Sequence, residues 1–289
     1  MLTHDHTFDV QHLEVKAELK RLLHLEAFGT EPLWEPILLT AVGRLVEQKN
    51  LGLVADIIDR TLAYDAGAKF IVLASAPEED QGGRATETAF AQYAARYPGR
   101  VYFNRAFNQA LSRLILAGGD FCLMPSRFEP CGLVDYEASL LGNIVIGRAT
   151  GGLTKVRHCA YLYDWLDISD RAGEAAAFFG QIAAAIATYR QHPALHTERV
   201  HTAMALDTSW QHSARQYMDM YHYGFLTQQW YKERQKLIQN FTRKLARERE
   251  LFATFFTPGR QEYGDRLDWE LRAALDRHDF RTVSKRRKR

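Results

Sequence analysis

The sequence predicts an α/β fold, doubly wound around a parallel sheet, and two observations carry that prediction. Between residues 37 and 147, five short apolar runs alternate with segments of helical character. Within the runs, polar and apolar residues do not alternate, as expected of strands buried on both faces by crossover helices.

The elements follow in chain order. Residues 11–27 (QHLEVKAELKRLLHLEA) space their leucines as one face of an amphipathic helix. A turn with Glu31, Pro32 and Pro36 leads into ILLTAVGRL (37–45), a strand-like run containing Gly43. A helix at 50–65, the strand FIVLAS at 70–75 and a loop with Asp80, Gly82 and Gly83 come next. They are followed by a helix at 84–97, the strand VYF at 101–103 and a helix at 107–117. The series closes with DFCLMP at 120–125, a helix at 132–141 and NIVIG at 143–147. Beyond 165 the strand signals stop. An Ala-rich helix (AGEAAAFFGQIAAAIATYR) precedes an aromatic-rich helical segment, SWQHSARQYMDMYHYGF. Residues 226–256 read as a separate, long charged helix with Glu and Lys/Arg at supporting spacings. After Pro258 and Gly259, DRLDWELRAALDRH forms a last helix before a basic end.

Composition excludes several classes. With 46% hydrophobic and 25% charged residues the chain is neither disordered nor collagen-like. No stretch approaches the roughly 20 apolar residues of a membrane helix, and the first residues, MLTHDHTFDVQHLEVK, lack the apolar core of a secretory signal. Cys122, Cys131 and Cys159 are too few for a disulfide framework or a zinc site, so a cytoplasmic location is expected. The net charge of +2 divides unevenly: residues 277–289 hold seven basic side chains against one acid, and the remainder 30 against 34. A basic surface is thus confined to the end of the chain, where a solvated tail is the ordinary reading, and nucleic acid is not an expected partner. No histidine spacing suits a metal, and no GxxxxGK[ST] or strand-linked GxGxxG is present.

In open α/β sheets ligands bind beyond the carboxyl ends of the strands, where three loops stand out. VGRLVEQKN (42–50) places Arg44 and Lys49 past a strand, beside a glycine that allows close backbone approach. Two such cations suit an anion such as a diphosphate, and two solvated surface cations are the alternative. PSRFEPCGLVDYEASLLG (125–142) predicts a helix starting near Cys131, with Pro130 near its first position and Gly132 leaving the backbone bare. Such a start favours anions. Glu129 at its mouth suits sugar hydroxyls instead, and Glu137, eight residues on, lies about 12 Å further if the stretch is helical. A dipole partner plus an exposed helical Glu is the alternative for the pair. GRATGGLTKV (147–156) brings Thr150, Gly151 and Gly152 after a strand, for close approach to a ligand or a tight turn.

The ordered set GRLVEQKN, AGGDFCLMPSRFEPCGL, ATGGL and LDTSWQHSARQYMDMY is more specific than any of its members. It resembles the C-terminal half of the glycogen/starch synthase family, retaining glucosyltransferases of the GT-B architecture, over about residues 15–222. The resemblance implies a single Rossmann-like, nucleotide-sugar-binding domain at 37–222, entered by a helix and linker at 1–36 and followed by a helical, basic extension at 223–289. Arg44 and Lys49 would match the family's diphosphate-binding pair and Glu129 its donor-glucose contact. Cys131, Gly132 and Leu133 would line the same pocket, and Thr150 and Gly151 would lie near the distal phosphate. No metal or other cofactor is implied; the donor is ADP-glucose or UDP-glucose and the acceptor an α-glucan.

Three local departures accompany the match. An acid at Glu137 is unusual for bacterial glycogen synthases but typical of the wider retaining family, where it binds ribose hydroxyls. APEEDQGG replaces a Gly-x-Gly turn after FIVLAS, and Phe107 stands where many members have Tyr. A counterpart of the family's acceptor-binding N-terminal half, with its Lys-x-Gly-Gly segment, is not found. Two expectations follow: a glucosyltransferase working as the C-terminal part of a larger or split enzyme, or a nucleotide-sugar-binding or regulatory module without transferase activity.

Overall fold

A computed structural model describes residue 9 and residues 11–255. The helix expected at 265–278 and the basic run at 277–289 lie outside the described residues. The chain divides into two units, Met1–Thr208 and Ser209–Arg289.

In the first unit the apolar runs form six parallel strands. They are β1 (Ile37–Arg44), β2 (Ala68–Ser75), β3 (Val101–Asn104), β4 (Phe121–Met124), β5 (Ile144–Arg148) and β6 (Tyr161–Tyr163), in the order β3-β2-β1-β4-β5-β6. The sixth strand corrects the expected five. It is three residues long and pairs only with β5, too short to leave a periodic signal. Because the order reverses between β1 and β4, the loops leaving these two strands diverge at the topological switch point.

Helices α1 (Leu13–Phe28), α2 (Gly52–Tyr64), α3 (Gln81–Arg96), α4 (Gln109–Gly118), α5 (Val134–Leu140), α6 (Arg171–Gln191) and α7 (Pro193–Met204) belong to this unit, with a 3-10 helix at Gly151–Val156 after β5. Successive strand residues face opposite sides of the sheet. Leu38, Ile71 and Leu73 pack with Leu23 of α1 and with Leu111 and Ile115 of α4. Leu39, Ala41, Phe70 and Val72 instead enter the larger core with Ile57 of α2, Phe90 of α3 and Phe178 of α6. Full burial of each such side chain is worth about 1.5–3 kcal/mol, and this is why the strand sequences carry no polar alternation.

Side-chain caps set three helix starts. Asp80, Asn108 and Asp170 accept from the backbone N–H groups of Gly83, Leu111 and Gly173 at 2.9, 3.0 and 2.8 Å. At the amino edge of the sheet, the Lys16 ammonium donates to the carbonyls of Ala117, Gly119 and Leu141 at 3.1, 2.8 and 3.0 Å. It thereby satisfies acceptors left open where α4 and α5 end.

The second unit is described through α8 (Trp210–Phe255), a single helix of 46 residues. This corrects the expected separate helices at 209–225 and 226–256: Gly224 is internal to the helix, where it costs about 1 kcal/mol relative to alanine without ending it. The position after 222, where the extension is expected to begin, lies inside α8.

Candidate functional site

At the carboxyl ends of β1, β4 and β5, the three loops singled out in the sequence lie against one another. Arg127 N–H donates to the Gln48 carbonyl at 2.9 Å, and the Gln48 side-chain amide donates to the Phe128 carbonyl at 3.0 Å. These bonds join the loops after β1 and β4. Gly152 N–H donates to the Glu129 carbonyl at 2.6 Å, and the Thr150 hydroxyl to the Arg127 carbonyl at 3.2 Å, which ties in the loop after β5.

Within this frame the Lys49 ammonium donates to Glu129 Oε2 at 2.5 Å. The Glu129 residue is 5% exposed, and its Oε2 also accepts from the Ser126 hydroxyl at 3.3 Å. The Lys49 side chain is 23% exposed, so the pair is only partly open to solvent. Arg44, the last residue of β1, is exposed, and its side chain makes no hydrogen bond or ion pair among the described residues. An exposed cation thus ends β1, and a second, five residues on, is paired with a nearly buried carboxylate. The set can neutralise an anion and accept hydrogen bonds from neighbouring hydroxyls.

The expectation about the helix start is corrected. α5 begins at Val134, so Pro130 and Cys131 belong to the preceding loop, and the helix is only seven residues long. Its first turn carries Asp135 and Glu137, which suit the helix dipole but oppose an anion. The assumption of a continuous helix from Glu129 to Glu137 fails for the same reason. Glu137 is exposed on α5, whereas Glu129 is held in the loop. Cys131 and Leu133 are exposed in that loop, with the Leu133 side chain at its rim.

The glycines have specific causes. Gly132 has φ +75°, and a Cβ there would strike the Asp135 carboxylate. Gly151 has φ +44°, and a Cβ on it would strike the Glu129 carbonyl; one on Gly152 would strike the Cys131 carbonyl. The Gly151-Gly152 pair is therefore required by the approach of the Glu129 loop, a neighbour not anticipated from sequence. At Gly43 a Cβ would meet only Leu51 at 3.6 Å, an ordinary contact, so that glycine is not forced.

Sequence reasoning passed over Lys155. Its ammonium donates to the Gly132 carbonyl at 2.6 Å and to that of Cys131, and lies 3.0 Å from the fully buried Asp135 carboxylate. This one cation pins the backbone that follows Glu129. The local signal, a lysine soon after TGGL, was present but indistinguishable from a surface residue without its partners. Among the described residues no group of three or more His, Cys, Asp or Glu side chains could hold a metal ion, and no helix is long and apolar enough to cross a membrane.

No protein-family model matches the chain. A glycogen synthase of Desulforudis audaxviator is 34% identical over 222 residues, which is 74% of this chain and 41% of that protein. One from Trichodesmium erythraeum is 45% identical over 147 residues, 51% of this chain and 30% of that protein. Among solved structures, the catalytic domain of starch synthase IV from Arabidopsis thaliana, bound to ADP and acarbose, superposes with a TM-score of 0.65 at 28% identity. The superposition covers 76% of this chain and 45% of the plant domain. The chain thus spans less than half the length of these relatives. Over about three quarters of its length it is homologous to the glycogen/starch synthase family, and its sheet is the Rossmann-like sheet of a GT-B glycosyltransferase.

Proposed function

We propose that this chain binds a nucleotide-glucose donor and takes part in retaining glucosyl transfer to an α-glucan, as the donor-binding, C-terminal part of a glycogen/starch synthase-type enzyme. The observation that carries the reading is the meeting of Lys49 and Glu129 at the switch point between β1 and β4. Arg44 and Lys49 hold the diphosphate, and Glu129 accepts hydrogen bonds from the donor glucose. Cys131, Gly132 and Leu133 line the sugar end, Glu137 takes the ribose hydroxyls, and Thr150 and Gly151 lie towards the distal phosphate. The ADP in the starch synthase IV structure supports ADP-glucose as the first donor to test, with UDP-glucose beside it.

In the reaction, the bond from the anomeric carbon to the diphosphate oxygen breaks. The acceptor hydroxyl bonds to the same face, and its proton passes to the departing phosphate. The two cations stabilise the charge that develops on the leaving group, so the proposal needs no metal or other cofactor. The acceptor-binding wall comes from a further domain or a partner chain. A cytoplasmic location belongs to the same proposal, supported by three free cysteines, of which Cys122 has its thiol pushed up to about 12 by burial.

Calorimetry with ADP-glucose and UDP-glucose tests the reading. Binding of at least one, with the affinity lowered about tenfold or more in Lys49→Ala, is expected. Binding of neither would overturn it. Binding without glucose release or glucan extension, even after an acceptor domain is added, would shift the assignment to a nucleotide-sugar-binding or regulatory module.

A further inference from the structure

We infer that Glu174 is a positioning residue for the donor site, its buried carboxylate fixing the Lys49 loop relative to the loop that carries Thr150 and Gly151. The inference rests on the donor-binding reading above. Glu174 lies in the first turn of α6 and is 1% exposed. Its Oε1 accepts from the Arg148 guanidinium at 3.5 Å and from the Tyr163 hydroxyl at 3.3 Å, and its Oε2 accepts from the Asn50 side-chain amide at 3.4 Å. Donors from the ends of β5 and β6 and from the loop after β1 therefore converge on one carboxylate.

Two of these donors lead to the site within two residues. Asn50 follows Lys49 and has φ +49°, which makes it the one non-glycine residue with positive φ among the described residues. Such a conformation is sparsely populated and persists where its surroundings enforce it. Backbone bonds from Asn50 N–H to the Val46 and Glu47 carbonyls, both at 3.2 Å, and its amide bond to Glu174 supply that enforcement. The turn so closed sets where the Lys49 side chain leaves the backbone. On the other side, the Arg148 guanidinium also donates to the Trp165 carbonyl at 2.6 Å, while its own carbonyl accepts from Thr150 N–H at 2.9 Å. Desolvating a buried ion pair offsets much of its Coulombic gain. Stability alone therefore accounts poorly for a carboxylate at this spot, whereas fixing two loops accounts for its three donors.

The test uses the full chain and four proteins: wild type, Glu174→Gln, Asn50→Gly and the double variant. ADP-glucose affinity is measured by calorimetry and thermal midpoint in parallel. Glu174→Gln keeps the shape but puts a donor where three donors converge, and is expected to weaken binding about tenfold. Asn50→Gly keeps the Arg148 pair intact and permits the positive φ, so it is expected to fold. It is expected to weaken binding as well, with the double variant no worse than Glu174→Gln alone. Unchanged affinity in Glu174→Gln, or losses that simply add in the double variant, would overturn the positioning role. A lowered midpoint with wild-type affinity would mark Glu174 as merely structural. Should Glu174→Gln fail to fold, Asn50→Gly decides alone, and wild-type affinity in it overturns the inference. Weakening by Lys49→Ala with no effect at Glu174 overturns this inference only. Failure of the wild type to bind ADP-glucose or UDP-glucose overturns both it and the donor-site reading.

Discussion

Glu129 is held nearly out of water by Lys49 and Ser126, and its backbone carbonyl is claimed by Gly152. Lys49→Ala therefore has a second expected effect besides weaker donor binding. It leaves a buried carboxylate with only a hydroxyl partner, and thermal denaturation should show a loss of about 1–3 kcal/mol. A midpoint unchanged from wild type would contradict the pairing. His24 gives a prediction of a different kind. It is 1% exposed, and its Nδ1–H donates to the Thr30 carbonyl at 2.9 Å while Nε2 has no partner. Burial, with the Lys69 charge as a second cause, lowers its pKa from the ordinary 6.5. The unfolded chain therefore takes up a proton at this position before the folded one does. Stability is full above pH 6.5 and falls as pH drops from there to the folded value. Between about pH 7.5 and 5.5 the wild-type midpoint should fall more than that of His24→Gln, and equal falls would count against the assignment. Lys49 and Glu129 were legible as candidates in the sequence because each follows a strand within a few residues. Lys155, Asp135 and Glu174 were not, because their roles depend on partners distant in sequence, and an isolated lysine or acid has no signature of burial.

At the scale of elements, β1 to β5 and α1 to α6 were readable because apolar runs and helical periods set them locally. Besides α7, which has no expected counterpart, three features escaped. β6 is too short for a pattern. α5 starts at Val134, three residues beyond the expected start near Cys131, because the chain between Glu129 and Val134 is held by Lys155 and by Gly132 in the left-handed region. α8 runs through Gly224 and past the break expected after residue 225. The loop after β5 offers the sharpest test. Gly151→Ala puts a Cβ against the Glu129 carbonyl at φ +44°. It should lower the midpoint through a loss of about 1–3 kcal/mol and weaken donor binding in step, because the displaced backbone is that of Glu129. A Gly151→Ala protein with wild-type midpoint and affinity would show that the two loops do not meet as described.

For the whole molecule, the strand order β3-β2-β1-β4-β5-β6 determines where chemistry can gather. It parts the connections of β1 and β4 and leaves their loops to flank the candidate site. Every buried core residue among the described residues precedes Thr208. Deletion of the chain after Thr208 should therefore leave a protein that unfolds in one cooperative transition near the wild-type midpoint, as differential scanning calorimetry would report. Loss of that transition would place essential packing in the second unit. The central claim, that Arg44 and Lys49 form the diphosphate site opposite Glu129, is tested most directly by a crystal structure of the chain with ADP bound. Phosphate oxygens are expected within hydrogen-bond reach of the Lys49 ammonium and the Arg44 guanidinium, above the Glu129 carboxylate. A diphosphate bound elsewhere, with both cations uninvolved, would contradict it.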